Sequence, residues 1–217
     1  TAGGGTAGSH FIDFDDNPTA GQCTSAVVPD DCNGSASCVT TAIGQFAAQL
    51  AKSSPTSTDA VYALSLVIHY TGDSAQPLHA SGYARGSNDV PAKFSGSSSK
   101  NMHSVWDTAL PRARISKAGS QDAWTTKLST LVTPAQAGTA CIASASITSA
   151  SDISACALKW AKESEALACS VVYGPKYTST GDLSTGYATA AGPTVDQQVA
   201  KAGLRLSAIL NKALGGK

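Results

Sequence analysis

Glutamate is almost missing from this chain. Only Glu163 and Glu165 occur, against thirteen aspartates, and lysine is sparse beside abundant Ser, Thr, Ala and Gly. That composition suits a secreted protein better than a cytosolic one. An excess of either charge is missing too: fifteen basic residues balance fifteen acidic ones, so no basic footprint advertises nucleic acid. A nucleic-acid substrate is weakened but not removed, since a bound metal ion supplies local positive charge. No apolar run reaches the length of a membrane span. No two cysteines have the two-residue spacing of a zinc ribbon or a redox motif. There is no internal repeat. The chain opens with neither an initiator methionine nor a signal peptide, so it reads as processed or truncated.

What is present is an even set of six cysteines, Cys23, Cys32, Cys38, Cys141, Cys156 and Cys169. Such a set reads as a disulfide framework in an oxidising compartment, with fifteen pairings open. Cys32 to Cys38 is a short interval that one bridge could close. Between them, Asn33-Gly34-Ser35 is a glycosylation sequon, weak alone and supportive beside the cysteines. At 217 residues the chain makes one domain, 1–217, able to bury a real core.

The periodicity predicts an all-α, mostly helical domain with long loops. Residues 1–9 read as a glycine-rich flexible tail and His10-Phe11-Ile12-Asp13 as a short extended segment. Val39, Ile43, Phe46, Ala47 and Leu50 have helical spacing up to about Lys52. Ser57 or Thr58 caps the next helix, whose apolar run Val61–Ile68 predicts burial. Ala80 to Lys100 is long and irregular, with a short strand at Val90, Ala92 and Phe94. A further helix opens at Asn101 and ends near Pro111, and another runs from about Gln121 to Val132. Residues 133–152 carry little signal. A long helix spans Ile153–Tyr173, and Pro193 or Thr194 starts the last one.

The chemistry concentrates in His69-Tyr70-Thr71-Gly72-Asp73-Ser74-Ala75-Gln76-Pro77-Leu78-His79. His69 and Asp73 are four apart, so a helix places them on one face. Pro77 stops that helix, leaving His79 free to turn back. A histidine on an apolar helix is ordinarily a satisfied core residue, but this chain has four histidines and three precede an aspartate at short spacing. His10 precedes Asp13, His69 precedes Asp73, and His103 precedes Asp107. Two imidazoles and a carboxylate converging on a buried helix end suit zinc, which takes nitrogen and oxygen ligands.

These motifs, with Asn101-Met102-His103-Ser104-Val105-Trp106-Asp107, His10-Phe11-Ile12-Asp13 and the segment Trp160–Cys169, occur in an order that resembles one family. It is the secreted zinc-dependent single-strand-specific nucleases and 3′-nucleotidases of fungi and plants, related to bacterial phospholipase C. The resemblance runs from His10 nearly to the C-terminus. It implies a phospholipase C/nuclease-like helical fold with two or three zinc ions. His10, His69 and Asp73 then hold one ion, His79, His103 and Asp107 a second, and Asp73 bridges toward a third. Asp13 matches the acidic residue that orients or activates the attacking water. Phe11 matches an aromatic on which a nucleobase stacks; the alternative is a core ring. The family's two disulfides map to Cys23–Cys169 and Cys32–Cys38, leaving Cys141–Cys156 as an addition.

The resemblance also implies a departure. The family's N-terminal segment, which holds part of the third zinc site, precedes the position where this chain starts, so a docked N-terminal fragment is expected to complete it. The implied activity is hydrolysis of single-stranded DNA and RNA to 5′-phosphate products, with 3′-nucleotidase activity, in an extracellular monomer that binds no membrane. Zinc brings the pKa of a bound water to roughly 7, and attack on phosphorus expels the 3′-oxygen. Two readings stand beside this one: a phospholipase C-like phosphodiesterase, which needs an exposed apolar surface, and a catalytically incomplete secreted zinc-binding protein.

Overall fold

Helices dominate the computed structural model, which describes residues 6–23, 26–28, 32 and 38–215. Residues 1–5 of the expected tail and the sequon at Asn33 lie outside the described residues. A 3-10 turn at Thr6–His10 leads into the irregular segment carrying Phe11 and Asp13. Helices α1 (Val39–Lys52) and α2 (Thr58–Asp73) follow. Ser57 caps α2 by accepting from the Ala60 N–H at 3.1 Å. A 3-10 turn at Pro77–Ala80 and a tight turn α3 (Ala84–Ser87) precede an antiparallel hairpin of β1 (Pro91–Phe94) and β2 (Ser97–Asn101). Then come α4 (Met102–Ser104), a π-helical turn at Val105–Ala109, α5 (Leu110–Ala118) and α6 (Gln121–Leu128). The chain closes with α7 (Ala140–Ser144), α8 (Ala150–Leu167) running into a second π turn at Ala168–Val172, and α9 (Gly186–Leu214).

Several boundaries differ from the sequence expectation, each for a physical reason. The helix expected to stop near Pro111 runs through it. Leu110 N–H donates to the Val105 carbonyl, five residues back, and Pro111 follows in the first turn of α5, where a missing donor costs little. Helix α9 starts at Gly186 and carries Pro193 inside it, because Tyr187 and Ala191 are buried in a core cluster and draw that turn inward. The run Ser95–Ser99, read as irregular, forms the hairpin turn and much of β2, with Ser95 and Gly96 at positive φ. Its serines gave no alternation to read. The weak stretch 133–152 contains α7 and the start of α8, which Ser149 caps. Helix α6 ends at Leu128, short of Val132.

The run Val61–Ile68 is not buried throughout. Ala60, Ala63, Val67 and Tyr70 face the interior, whereas Val61, Tyr62 and Ile68 are 58 %, 51 % and 48 % exposed. Only one side of α2 lies against α1 and α9; apolar residues around the whole helix exceed what that side can cover.

Two of the three apolar clusters of the core flank the site. One joins Phe14, Ile43, Val67, Tyr70, Ile153 and Trp160 between the N-terminal segment, α1, α2 and α8. The other gathers Met102, Trp106, Leu110, Trp124, Leu183 and Tyr187 around α4, α5, α6 and α9. Leu78 belongs to the second and Ala80 to the first, so His79 lies where they meet. Two buried ion networks fix α9 over both. Asp196 accepts from Arg114 Nε at 2.9 Å and from Trp124 Nε1 at 2.8 Å. Fully buried Arg205 donates to Glu163 Oε2 at 2.6 Å and to the Ala137 carbonyl at 2.9 Å, its guanidinium 5.1 Å from the Trp160 ring centroid.

Helices α1 and α8 cross at Gly44, where an added Cβ would stand 2.2 Å from Ser154 Oγ and 2.3 Å from the Ala150 carbonyl oxygen. Alanine gains roughly 1 kcal/mol of helix propensity over glycine, but it cannot fit without moving backbone. Gly44→Ala is therefore expected to destabilise by about 1–3 kcal/mol in denaturant unfolding. A variant as stable as the parent would show that the crossing is looser than this.

Candidate metal centre

His10, on the turn before the extended segment, meets two residues of α2. Its Nδ1 lies 3.0 Å from Asp73 Oδ2 and 3.1 Å from His69 Nε2, and His69 Nε2 is itself 3.1 Å from the same Asp73 oxygen. Helical i,i+4 spacing puts His69 and Asp73 on one face of α2. His69 is 54 % exposed, so the expectation of a buried helix end is corrected: this trio opens to solvent.

The second trio mirrors the first. His103 on α4 and Asp107 on the π turn are again four apart, with His103 Nε2 3.3 Å from Asp107 Oδ2. His79, on the turn after Pro77, places Nε2 3.3 Å from Asp107 Oδ1. The His79 and His103 rings have centroids 4.7 Å apart. Donor atoms 2.0–2.1 Å from a tetrahedral zinc stand about 3.3–3.4 Å apart. Edges of 3.0–3.3 Å in two sets of nitrogen and oxygen donors therefore fit such an ion. These sets are two of the groups of possible metal-holding residues among the described residues.

The surroundings orient the rings. His79 Nδ1–H donates to the His10 carbonyl at 2.6 Å, and His103 Nδ1–H donates to the Gly86 carbonyl at 2.7 Å. Each bond fixes the tautomer and turns the Nε2 lone pair toward its trio. Gln76 Nε2 donates to Asp107 Oδ1 at 2.8 Å, a role the sequence reading missed although Gln76 lies inside the central motif. Its place three residues before a ligand-type histidine was the available signal; the two carbonyl acceptors left none. Burial pushes the Asp107 carboxyl up, but hydrogen bonds from His103, His79 and Gln76 outweigh it and hold the group well below the ordinary carboxylate range. Burial likewise lowers His79, and the hydrogen bond to Asp107 with the charges of Asp73 and Asp107 reverses that, leaving it raised.

Phe11 is 36 % exposed beside His10, so its ring is not a core residue. Asp13 is half-buried and belongs to neither trio; its Cβ would lie 3.5 Å from a Cβ added at Gly82. The cysteines are joined as Cys23–Cys169, Cys32–Cys38 and Cys141–Cys156. The first ties the loop after Asp13 to the end of α8.

A sequence comparison extends what the geometry suggests. The family model described as S1/P1 Nuclease matches residues 1–215. The chain belongs to the S1/P1 nuclease family. Nuclease P1 of Penicillium citrinum is 33 % identical over 231 residues, covering 100 % of this chain and 80 % of its own length. Nuclease S1 of Aspergillus oryzae is 33 % identical over 207 residues, covering 93 % of this chain and 70 % of its own. Endonuclease 1 of Arabidopsis thaliana is 29 % identical over 233 residues, covering 95 % and 68 %. S1/P1 nucleases are hydrolytic and zinc-dependent, which makes this chain a hydrolase of nucleic acids whose two trios are suited to metal. No described helix is long and apolar enough to cross a membrane.

Gly86 holds its carbonyl to His103 at φ +62°, and an added Cβ would stand 2.7 Å from the Leu78 carbonyl and 3.3 Å from His103 Nδ1. Gly86→Ala is expected to displace His103 and weaken zinc affinity about 10–100-fold. Chelator competition on the folded protein reads this directly; unchanged affinity would remove the Gly86 carbonyl from the site's supports.

Proposed function

We propose that this S1/P1 nuclease cleaves single-stranded DNA and RNA to 5′-phosphate products and removes phosphate from 3′-nucleotides. The observation that carries the reading is that one cavity of about 540 Å³ is lined by His10, His69 and Asp73 of the first trio and by His79 and Asp107 of the second. A scissile phosphate in that cavity lies between two sets of metal-binding side chains. His10, His69 and Asp73 hold one zinc and His79, His103 and Asp107 another. Zinc supplies positive charge for the phosphate oxygens and acidifies water toward neutrality.

The chain's own groups do the rest. Asp13 takes the proton of the attacking water at a carboxylate oxygen. The water oxygen bonds to phosphorus as the bond to the 3′-oxygen breaks, and that oxygen takes its proton from solvent water while Asp13 later returns the proton it took to solvent. Phe11 offers an exposed ring next to His10 on which an unstacked base can lie. A paired base cannot leave its stack without cost, which favours single strands. Gln76 keeps Asp107 turned toward His79. The bridged cysteines support secretion, and the protein works as a monomer.

The test is an assay of zinc-loaded protein on single-stranded and duplex oligonucleotides, on 3′-nucleotides, and on phosphatidylcholine. Single strands and 3′-nucleotides are expected to be cut, duplex slowly, and lipid not at all; lipid cleavage without nucleotide release would overturn the reading. His79→Ala is expected to lower bound zinc from two to one per chain and the rate by roughly 10²–10³-fold. Phe11→Ala is expected to raise KM for single strands with zinc content unchanged, and an unchanged KM would return Phe11 to a structural role.

A further inference from the structure

A third cluster shares no residue with either trio. A carboxylate oxygen of Asp16, one of Glu165 and the Cys23 sulfur all lie within 4.8 Å of one another. The sulfur is committed to its bridge with Cys169, so the donors left are hard carboxylate oxygens. Asp16 is anchored: its Oδ2 accepts from Ser81 Oγ at 2.7 Å and its Oδ1 from the Tyr83 N–H at 3.1 Å. Glu165 approaches from α8, is only 4 % exposed, and its Oε1 has no hydrogen-bond partner.

A buried Glu165 this close to a half-buried Asp16 needs a neutralising partner. No basic side chain supplies it among the described residues. Lys162, three residues before Glu165 on α8, is exposed to solvent, and Lys201 and Arg205 of α9 are paired with Glu163 instead. Burial and the charge of Asp16 raise the Glu165 carboxyl to about 7, so near neutrality the pair takes up either a proton or a cation.

We infer that Asp16 and Glu165 form a calcium site separate from the catalytic metals. Calcium takes oxygen donors at 2.3–2.6 Å in flexible geometry, so two donors on one ion can stand up to about 5 Å apart, which accommodates this pair. Zinc is disfavoured because the cluster has no nitrogen or free thiolate. With two carboxylates and water completing the shell, the affinity belongs with the 10⁻⁴–10⁻³ M range of extracellular modules. The ion would join the loop before Cys23 to α8 beside the disulfide, and through Ser81 it would steady the turn that follows His79.

Terbium, a luminescent substitute for calcium, tests this on zinc-loaded protein. Tyr83 lies next to the Asp16 contact, with its ring 5.6 Å from that of Tyr173, so tyrosine excitation should sensitise a bound terbium. The expected result is a saturable signal displaced by millimolar calcium, and a calcium-dependent rise of a few degrees in Tm. Both should vanish in Glu165→Gln with zinc content unchanged. Asp16→Asn gives the same reading should Glu165→Gln fail to fold. A signal that survives in both variants would place the ion elsewhere and overturn the assignment. Absence of any calcium effect, with Glu165→Gln more stable than the parent at pH 8, would show that the pair holds a proton. Neither readout uses nuclease activity, so each stands apart from the catalytic proposal.

Discussion

His79 is the joint on which the site depends. Its Nδ1–H donates to the His10 carbonyl, its own carbonyl accepts from the Ile12 N–H at 2.9 Å, and its Nε2 lies 3.3 Å from Asp107. One residue thus locks the segment carrying His10, Phe11 and Asp13 to the turn after α2, while its outer nitrogen serves the other trio. The two trios cannot move apart without breaking these hydrogen bonds, in a region flanked by two of the core clusters. That is the kind of support a binding geometry needs, because positions held only by loops drift by more than catalysis tolerates.

The rest of the fold acts through that joint. Gln198 on α9 donates to the Ala75 carbonyl at 2.8 Å, and Ser164 on α8 donates to the Ser74 carbonyl at 2.7 Å. Both hold the turn between Asp73 and Gln76 from below. Helix α9 is in turn pinned by Asp196 to Arg114 and by Arg205 to Glu163. Removing one partner of such buried pairs leaves an uncompensated charge. The ion networks far from the two trios therefore set the position of the turn that carries Asp73 and Gln76, although none of them reaches it.

Much of the site was legible because its logic is helical spacing. His69 with Asp73 and His103 with Asp107 follow from i,i+4 geometry, and the Ser57 cap follows from local chemistry. What escaped depends on three dimensions. Pro111 and Pro193 read as boundaries because proline lacks a donor; a π turn makes the first harmless, and buried packing around Tyr187 overrides the second. The polar strand Ser97–Asn101 has no apolar alternation, and its pairing comes from its partner. The exposure of Val61, Tyr62 and Ile68 could not be read either, since hydropathy reports what a helix can bury and not which side finds a neighbour. Gln76 and the carbonyls of His10 and Gly86 orient the ligands without belonging to any ligand alphabet.

Charge ties the second trio to pH. His79 is raised above its ordinary value, against the opposing effect of burial, by its hydrogen bond to Asp107 and the charges of Asp73 and Asp107. A raised histidine contributes stability that is fully present below its unfolded pKa and is lost as pH rises through its folded one. Metal binding requires the neutral imidazole, so it strengthens over that same interval. Asp107, held low by His103, His79 and Gln76 after burial is overcome, stays ionised throughout and accepts either partner. A proton and a metal ion would thus compete for the imidazoles around one fixed carboxylate. A hydrophobic substitute for Asp107 would forfeit the hydrogen bonds with His103, His79 and Gln76 that hold the second trio together.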